Sequence, residues 1–199
     1  MKRILAIFIM LTASAVLSPA QTQADRDRAI QYLEKTRQGV LEAAKGLSPA
    51  QLSFKAAPEK WSVAEVLEHI ASAEDYLYGN IQEKIMKAPP RPAGEDVKAI
   101  DDLVMAALVD RTHKAQAPEP LRPTNRFGSP EGSLKHFEES RAKTEEFVKT
   151  AQGLRDHAED SFLGKKLDPY EWVLFISAHS ERHTKQILEV KADPNFPKS

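Results

Sequence analysis

The 199-residue sequence predicts an all-α protein, a four-helix bundle with a long crossover between helices two and three. Apolar residues recur every three or four positions along four long segments, which places them on one face of a helix. Capping residues precede three of these segments. The sequence shows no strand-like alternation of apolar and polar residues, no glycine-rich phosphate loop and no internal repeat.

The first twenty residues have the pattern of a Sec-type signal peptide. Lys2 and Arg3 supply positive charge, residues 4–17 are almost wholly apolar, and positions 18–20 suit a signal peptidase. A membrane anchor is the alternative, but the apolar run is shorter than the roughly 20 residues that span a bilayer. We therefore predict cleavage of the segment and a periplasmic or secreted mature protein.

Cleavage is expected after Ala20 or, at a second suitable sequence, after Ala24. Both boundaries are expected to precede the fold. The helical domain is then predicted to cover residues 25–192, with a short carboxyl-terminal tail over 193–199.

The composition, with 41% hydrophobic and 29% charged residues, indicates a soluble globule with one hydrophobic core. Because the chain has no cysteine, a metal would have to bind through His, Asp or Glu. Loss of residues 1–20 leaves 26 basic and 29 acidic residues and no clustered basic surface. Binding to nucleic acid is therefore not expected.

The first helix is predicted from its apolar residues between Ala29 and Leu47, and the following Ser48 and Pro49 end it. A connecting loop is expected from there to Lys60. This loop separates the first apolar stripe from the second.

The second helix is predicted to start after Ser62, an N-cap whose capping box is completed by Glu65. Its apolar stripe contains Glu74 and continues to Ile85, and the prolines at 89–90 end it. The N-cap and the prolines thus define both ends of this helix.

The crossover is predicted to occupy residues 87–130, a proline-rich segment with a short helix near 97–110. So long a connection is more often functional or mobile than accidental. The third helix is predicted to extend from its N-cap, Ser129, to Gly153. The last helix has Asp168 as N-cap and proline at its first position, and it extends to about Lys191.

Two histidines, four residues apart, lie on the apolar face of the last helix. At 100° per residue, every member of this face lies within about 60° of Trp172. The face consists of Trp172, Ile176, His179, His183, Ile187 and Val190. Residues four apart project from adjacent turns, so that one metal ion could accept a nitrogen from each imidazole. The alternative is two core histidines that hydrogen-bond to neighbouring side chains.

The other four histidines lie in different settings. His69 belongs to the second helix but lies about 90° from the centre of its apolar face, so periodicity alone does not select it. His113 lies in the crossover, His136 off the apolar face of the third helix, and His157 before the last helix. These three are expected to be exposed to solvent.

Two segments resemble the DinB-like family, also described as the YfiT-like metal-dependent hydrolases. One is WSVAEVLEHI at residues 61–70, and the other is HSERHTKQI at residues 179–187. The resemblance covers nearly all of the mature chain, including the proline-rich crossover. A Trp-Ser helix opening together with His-x3-His and a following Gln-Ile is fairly specific.

This resemblance implies a four-helix bundle, often dimeric, that binds zinc, nickel or a similar divalent metal ion. One ligand would come from the second helix and two from the last, which here are His69, His179 and His183. Characterised members include transferases and isomerases that use small bacterial thiols. Many other members have no known activity.

Three neutral nitrogen ligands would leave a coordination position open, as in catalytic metal sites. Such a site could hydrolyse an activated bond or bind a thiol as the thiolate, which makes a hydrolase or a thiol-type transferase the expected enzyme. Export argues against the thiol route, because the periplasm is oxidising. The alternative to an enzyme is a non-catalytic metal- or ligand-binding protein of the cell envelope, connected with stress.

The sequence names neither a substrate nor a catalytic residue. Glu65, Glu68 and Glu181 lie close to the histidines in sequence and could orient them or handle protons. The alternative is that each is a solvated charge on its helix.

A twofold homodimer is a further expectation. The family often pairs through helix faces, and three aromatic residues lie away from the centres of the predicted stripes. They are Phe54, Tyr76 and Tyr78. Scattered surface aromatics are also normal in monomers.

Overall fold

The computed structural model describes residues 21–112 and 116–198, so the predicted signal peptide and His113 lie outside the described residues. Within these ranges the chain forms six α-helices and one antiparallel pair of two-residue strands. The helices are α1 (Gln23–Ala44), α2 (Pro49–Ser53), α3 (Val63–Glu83), α4 (Val97–Val109), α5 (Pro130–Thr150) and α6 (Pro169–Lys191). The strands are β1 (Glu159–Asp160) and β2 (Lys166–Leu167). None of these helices combines the length and apolar character needed to cross a membrane.

The long helices α1, α3, α5 and α6 form the predicted four-helix bundle. Each packs against two neighbours, in the cyclic order α1, α6, α3, α5. Helices α3 and α6 are antiparallel: Leu77, late in α3, shares a core cluster with Val173, early in α6. Val66 and Ile187, from the opposite ends of these helices, share the other cluster. The bundle therefore places the start of α6 beside the end of α3.

The crossover is part of the core, because its helix α4 packs along α6. Ile100, Val104 and Leu108 of α4 are buried. Helix α4 is also joined to α1, because Arg28 of α1 donates to the Asp102 carboxylate of α4 at 2.8 Å. The predicted short helix at 97–110 is thus confirmed to within one residue.

Helix α6 is the central helix, since it contacts α1, α3 and α4. Tyr170, Leu174 and Ser177 are therefore buried although they lie outside the predicted apolar face. Trp172 and His179, inside that face, are only partly buried. A single apolar face is thus an incomplete description of a helix that is surrounded on three sides.

Several short elements differ from the prediction. Helix α2 lies in the segment predicted as a loop, with Ser48 as its N-cap. Helix α3 ends at Glu83, and a 3₁₀ turn over Ile85–Lys87 replaces its predicted last turn. The β1–β2 hairpin was not predicted, because two-residue strands are too short to show an alternating pattern.

The start of α1 corrects the expectation that both cleavage boundaries precede the fold. Thr22 is the N-cap, and its hydroxyl accepts the Asp25 backbone N–H at 3.1 Å. The Asp25 carboxylate accepts the Thr22 backbone N–H at 2.9 Å. Cleavage after Ala24 would remove this capping box, whereas cleavage after Ala20 leaves it intact.

One buried guanidinium joins all four helices of the bundle. Arg141 of α5 is fully buried and donates two hydrogen bonds of 2.8 Å to the Glu74 carboxylate of α3. It also donates to the Leu33 carbonyl of α1 at 2.6 Å and to the Ser180 hydroxyl of α6 at 2.9 Å. Glu74, which the sequence places in an apolar stripe, is therefore buried with a partner.

A second buried ionic network fixes the start of α6. Arg91 of the crossover donates to the Asp168 carboxylate and, at 3.0 Å, to Glu171. Arg155 donates to Asp101 of α4 at 2.9 Å and to Asp168 at 3.1 Å. Burial raises the pKa of Asp168, and burial together with the charge of Asp168 raises the pKa of Glu171. The network ties the crossover and α4 to the amino terminus of the central helix.

Candidate metal centre

His69 of α3 converges with His179 and His183 of α6. Nε2 of His69 lies 3.2 Å from Nε2 of His179 and 3.2 Å from Nε2 of His183. One nitrogen from each ring lies within 4.8 Å of the others. Nitrogens bound tetrahedrally to one zinc ion, at about 2.0–2.1 Å from it, would be about 3.3 Å apart. The spacing therefore suits three ligands of a single divalent ion.

Hydrogen bonds behind two of the rings determine which nitrogen carries the proton. Nδ1 of His69 lies 2.8 Å from the Leu121 carbonyl, and because a carbonyl only accepts, Nδ1 donates. Nδ1 of His183 donates to Oε1 of Gln186 at 2.8 Å, and Arg111 donates to the same oxygen at 3.4 Å. In the neutral rings of His69 and His183, Nε2 is therefore unprotonated.

The three imidazoles are held in the neutral form. Burial lowers the pKa of His69, His179 and His183. For His179 and His183 the pKa is well below its ordinary value, because the neighbouring rings also oppose a positive charge. Across 3.2 Å, the facing Nε2 atoms of His69 and His183 both present lone pairs and cannot hydrogen-bond to each other. A cation between them would remove this repulsion, so the donor set fits a metal ion.

The Trp-Ser opening of α3 positions His69. Ser62 caps the helix by accepting the Glu65 backbone N–H at 3.2 Å, and the Glu65 carboxylate accepts the Ser62 backbone N–H at 2.8 Å. Trp61 lies against the His69 ring, with 4.9 Å between centroids. Glu65 also accepts from Lys55 at 2.8 Å, so this carboxylate is occupied in capping and ion pairing.

Glu68 anchors the end of the crossover beside the histidines. Its side chain is buried and accepts the backbone N–H groups of residues 124–126 at 2.7–3.1 Å. Burial alone would raise the pKa of Glu68, but these hydrogen bonds lower it overall. The anchored segment follows Leu121, whose carbonyl orients His69. The carboxylate is therefore neither a solvated helix charge nor a group that faces the cluster.

Glu181, the third glutamate considered, is directed toward α1. It accepts the Tyr32 hydroxyl at 3.0 Å and lies 3.8 Å from the Lys185 ammonium. Its hydrogen bond to α1 gives this carboxylate a structural role in joining α6 to α1.

We expect Glu68→Gln to lower the free energy of unfolding by about 1–3 kcal/mol, because buried N–H groups lose a charged acceptor. Metal affinity should fall by about tenfold or more, since the segment that carries Leu121 loses its anchor. Urea denaturation and a metal competition titration measure the two effects. Glu83→Gln, an exposed carboxylate on the same helix, is the matched control. Unchanged metal affinity in Glu68→Gln would show that the anchor does not act on the cluster.

The histidine cluster opens into a cleft of about 1300 Å³. Its walls come from α3, α6, the end of α4 and residues 116–123 of the crossover. Aromatic side chains contribute much of the lining, namely Trp61, Tyr76, Phe162, Trp172 and Phe175. A small molecule can therefore approach the three imidazoles from this side.

The remaining described histidines lie apart from the cluster and are half-buried, so the expectation of exposure was only partly right. Nε2 of His136 contacts the Asp75 carboxylate, and its ring stacks on Phe127 with 4.3 Å between centroids. Nδ1 of His157 donates to the Ala88 carbonyl at 2.6 Å. Both rings serve structural contacts.

Two of the aromatic residues that favoured a homodimer pack within the chain. Phe54 lies edge-on to Phe196 at 5.5 Å, and Tyr78 lies edge-on to Phe147 at 5.7 Å. Tyr76 alone of the three is exposed, at 53%. The homodimer stays a prediction, which light scattering on the mature protein would test.

Two groups that orient the imidazoles were given no such role in the sequence analysis, although Gln186 belongs to the Gln-Ile motif noted there. Gln186 lies three residues after His183, and this helical spacing could have indicated a contact. Leu121 is 52 residues from His69 and acts through its backbone carbonyl, so its residue type carries no signal.

The fold and site together define a four-helix-bundle protein with a three-histidine cluster suited to a divalent metal ion. Residues 32–187 match the DinB superfamily, and the chain belongs to this superfamily. The resemblance seen in the sequence is thereby confirmed.

Two similar proteins come from Bacillus subtilis. The uncharacterized protein YuaE of strain 168 is 27% identical over 151 residues, which cover 74% of this chain and 87% of YuaE. YfiT is described as a probable metal-dependent hydrolase with an unusual four-helix bundle topology. Its structure matches with a TM-score of 0.54 and 16% identity, over 90% of this chain and 93% of YfiT. This structural similarity shows a shared fold.

Proposed function

We propose that the protein is a metal-dependent hydrolase in which His69, His179 and His183 hold one divalent ion. The observation that carries the proposal is the pair of unprotonated Nε2 atoms of His69 and His183, 3.2 Å apart beside an open cleft. Three neutral nitrogens would leave a coordination position free, and an ion held in this way would act as a Lewis acid. The description of YfiT as a probable metal-dependent hydrolase supports the same chemistry.

Zinc or nickel is the expected ion, because neutral imidazoles suit both metals. The protein supplies orientation. The Leu121 carbonyl and the Gln186 amide fix the rings of His69 and His183 with their Nε2 atoms toward each other. The cleft lets substrate and water reach this point.

The test uses mature protein purified without a polyhistidine tag and loaded with zinc or nickel. We expect hydrolysis of at least one member of a panel of esters and amides, and loss of that activity in His183→Ala. Thiol acceptors in the same panel test the transferase alternative, and transfer without hydrolysis would replace the proposal. Metal binding without turnover of any compound would instead favour the non-catalytic envelope protein.

We further propose that residues 1–20 direct export and are then removed, which would place the mature protein in the periplasm or outside the cell. Amino-terminal sequencing of the exported product is expected to begin at Gln21. Cleavage there keeps the Thr22 capping box of α1. An intact Met1 on protein that stays with the inner membrane would contradict export and turn the segment into an anchor.

A further inference from the structure

The cleft beside the histidine cluster has two ends of different chemistry. Because α3 and α6 are antiparallel, the part of α3 after His69 faces the part of α6 before His179. The lining at this aromatic end includes Tyr76, Phe162, Trp172 and Phe175. At the opposite end, near the start of α3, Trp61 lies among polar side chains that include Glu65, Arg111, Gln186 and Glu189. The three imidazoles lie between the two ends.

Ring contacts connect the aromatic end to the cluster. Trp172 and Phe175 lie 5.0 Å apart by centroid, and Phe162 of the β1–β2 loop lies edge-on to Phe175 at 5.7 Å. The Phe175 ring is nearly parallel to His179, with 6.4 Å between centroids. A flat group placed along this wall would therefore reach the nitrogens from a continuous aromatic surface.

The aromatic end is left uncovered by the protein. Tyr76 is 53% exposed and Phe162 is 70% exposed. In residues 21–112 and 116–198, the other exposed large hydrophobic side chains are Leu103, at 37%, and Leu188, at 50%, and both lie outside the cleft. Exposed apolar side chains grouped at a concave surface mark a binding site more strongly than scattered ones do.

The charged side chains of the cleft balance one another. Four acidic and four basic side chains line it. Arg111 is engaged by Glu189 through two hydrogen bonds of 2.7 Å. The side chains therefore give the cleft no excess of charge of their own, and selection by these side chains would rest on the shape and aromatic character of the lining.

We propose that the substrates are aromatic esters or amides, with the aromatic group in the aromatic end and the carbonyl at the histidine cluster. This inference rests on the proposed hydrolase function. In the reaction, the oxygen of water bonds to the carbonyl carbon, and the bond from that carbon to the leaving oxygen or nitrogen breaks. One hydrogen of the water stays on the carboxylic acid and the other goes to the leaving alcohol or amine.

Binding is tested with N-phenyl-1-naphthylamine, an uncharged aromatic fluorophore, titrated into zinc-loaded protein. The double variant Tyr76→Ala, Phe162→Ala alters two side chains that are more than half exposed, so the fold is retained. The Kd of the double variant for the fluorophore is expected to be about tenfold higher than that of the wild type, since two aromatic contacts are lost. Leu103→Ala, an exposed apolar residue outside the cleft, should leave Kd unchanged. Equal Kd values for the wild type and the double variant would overturn the inference.

Hydrolysis is tested with benzyl acetate against ethyl acetate on the zinc-loaded protein. We expect kcat/KM to be at least about tenfold higher for benzyl acetate, and the double variant to lose most of this preference. Naphthylamine binding that depends on Tyr76 and Phe162, without hydrolysis of either ester, would support the aromatic end but overturn the hydrolase. Hydrolysis of both esters with equal kcat/KM would leave the hydrolase in place and overturn the aromatic preference.

Discussion

Protein that carries both His69→Ala and His179→Ala is expected to purify without bound metal, whereas the wild type should carry about one divalent ion per chain. The reason is that His183 alone would hold a divalent ion much more weakly than three converging nitrogens would. Elemental analysis after purification without a polyhistidine tag measures the difference. Equal metal content in the two proteins would show that the cluster is not the binding site.

Removal of the bound metal with a chelator is the control for this experiment. An ion that binds only the folded state adds RT ln(1 + [L]/Kd), about 2.7 kcal/mol at a hundredfold excess over Kd. A chelator should therefore lower the melting temperature of the wild type and leave the double variant unchanged. Helical circular dichroism should persist, because apolar side chains form the core. Its loss on chelation would mean that the ion is structural, and the catalytic proposal would fall.

Arg141→Met is expected to lower the free energy of unfolding by about 3–5 kcal/mol, because it leaves Glu74 as an uncompensated buried charge. Glu74 would keep only the Thr144 hydroxyl, at 3.1 Å, from its present side-chain contacts. Urea denaturation followed by circular dichroism measures the loss.

Two further variants isolate the buried pair. Arg141→Met combined with Glu74→Leu should recover most of the stability, since an apolar pair of similar volume is often neutral relative to a buried ion pair. Arg37→Met removes a partly exposed arginine that pairs with Glu34 and Glu138, and it should cost less than about 1 kcal/mol. Similar losses for Arg37→Met and Arg141→Met would contradict a special role for the buried pair.

The long helices could be predicted because their signals are local. Ser62 with Glu65, Ser129, and Asp168 each act within one helical turn, and the structure confirms all three caps. The apolar periodicity is likewise a property of neighbouring turns. Contacts between residues that are far apart in the sequence leave no such local pattern. Arg141 and Glu74 are 67 residues apart, and the sequence shows only that Glu74 occupies a position where apolar residues are expected.

The candidate site likewise combines local patterns, which the sequence shows, with contacts between distant residues, which it does not show. The spacing of His179 and His183 is a local pattern, and the structure places both rings at the cluster. His69 could not be selected by angle, because the flank of α3 faces α6 only after the bundle has formed. The resemblance of residues 61–70 to a known family supplied this assignment. The orienting carbonyl of Leu121 depends on the path of the crossover, which periodicity does not describe.

The order of the three histidines along the chain determines the stage of synthesis at which the candidate metal site can form. His69 precedes His179 by 110 residues, and the second and third imidazoles belong to the last helix. A nascent chain that has emerged only as far as α5 presents a single imidazole of the three. The three-histidine cluster can therefore form only after α6 has been synthesised. If the chain is exported before it folds, the metals of the compartment in which it folds, and not those of the cytosol, determine which ion it takes up.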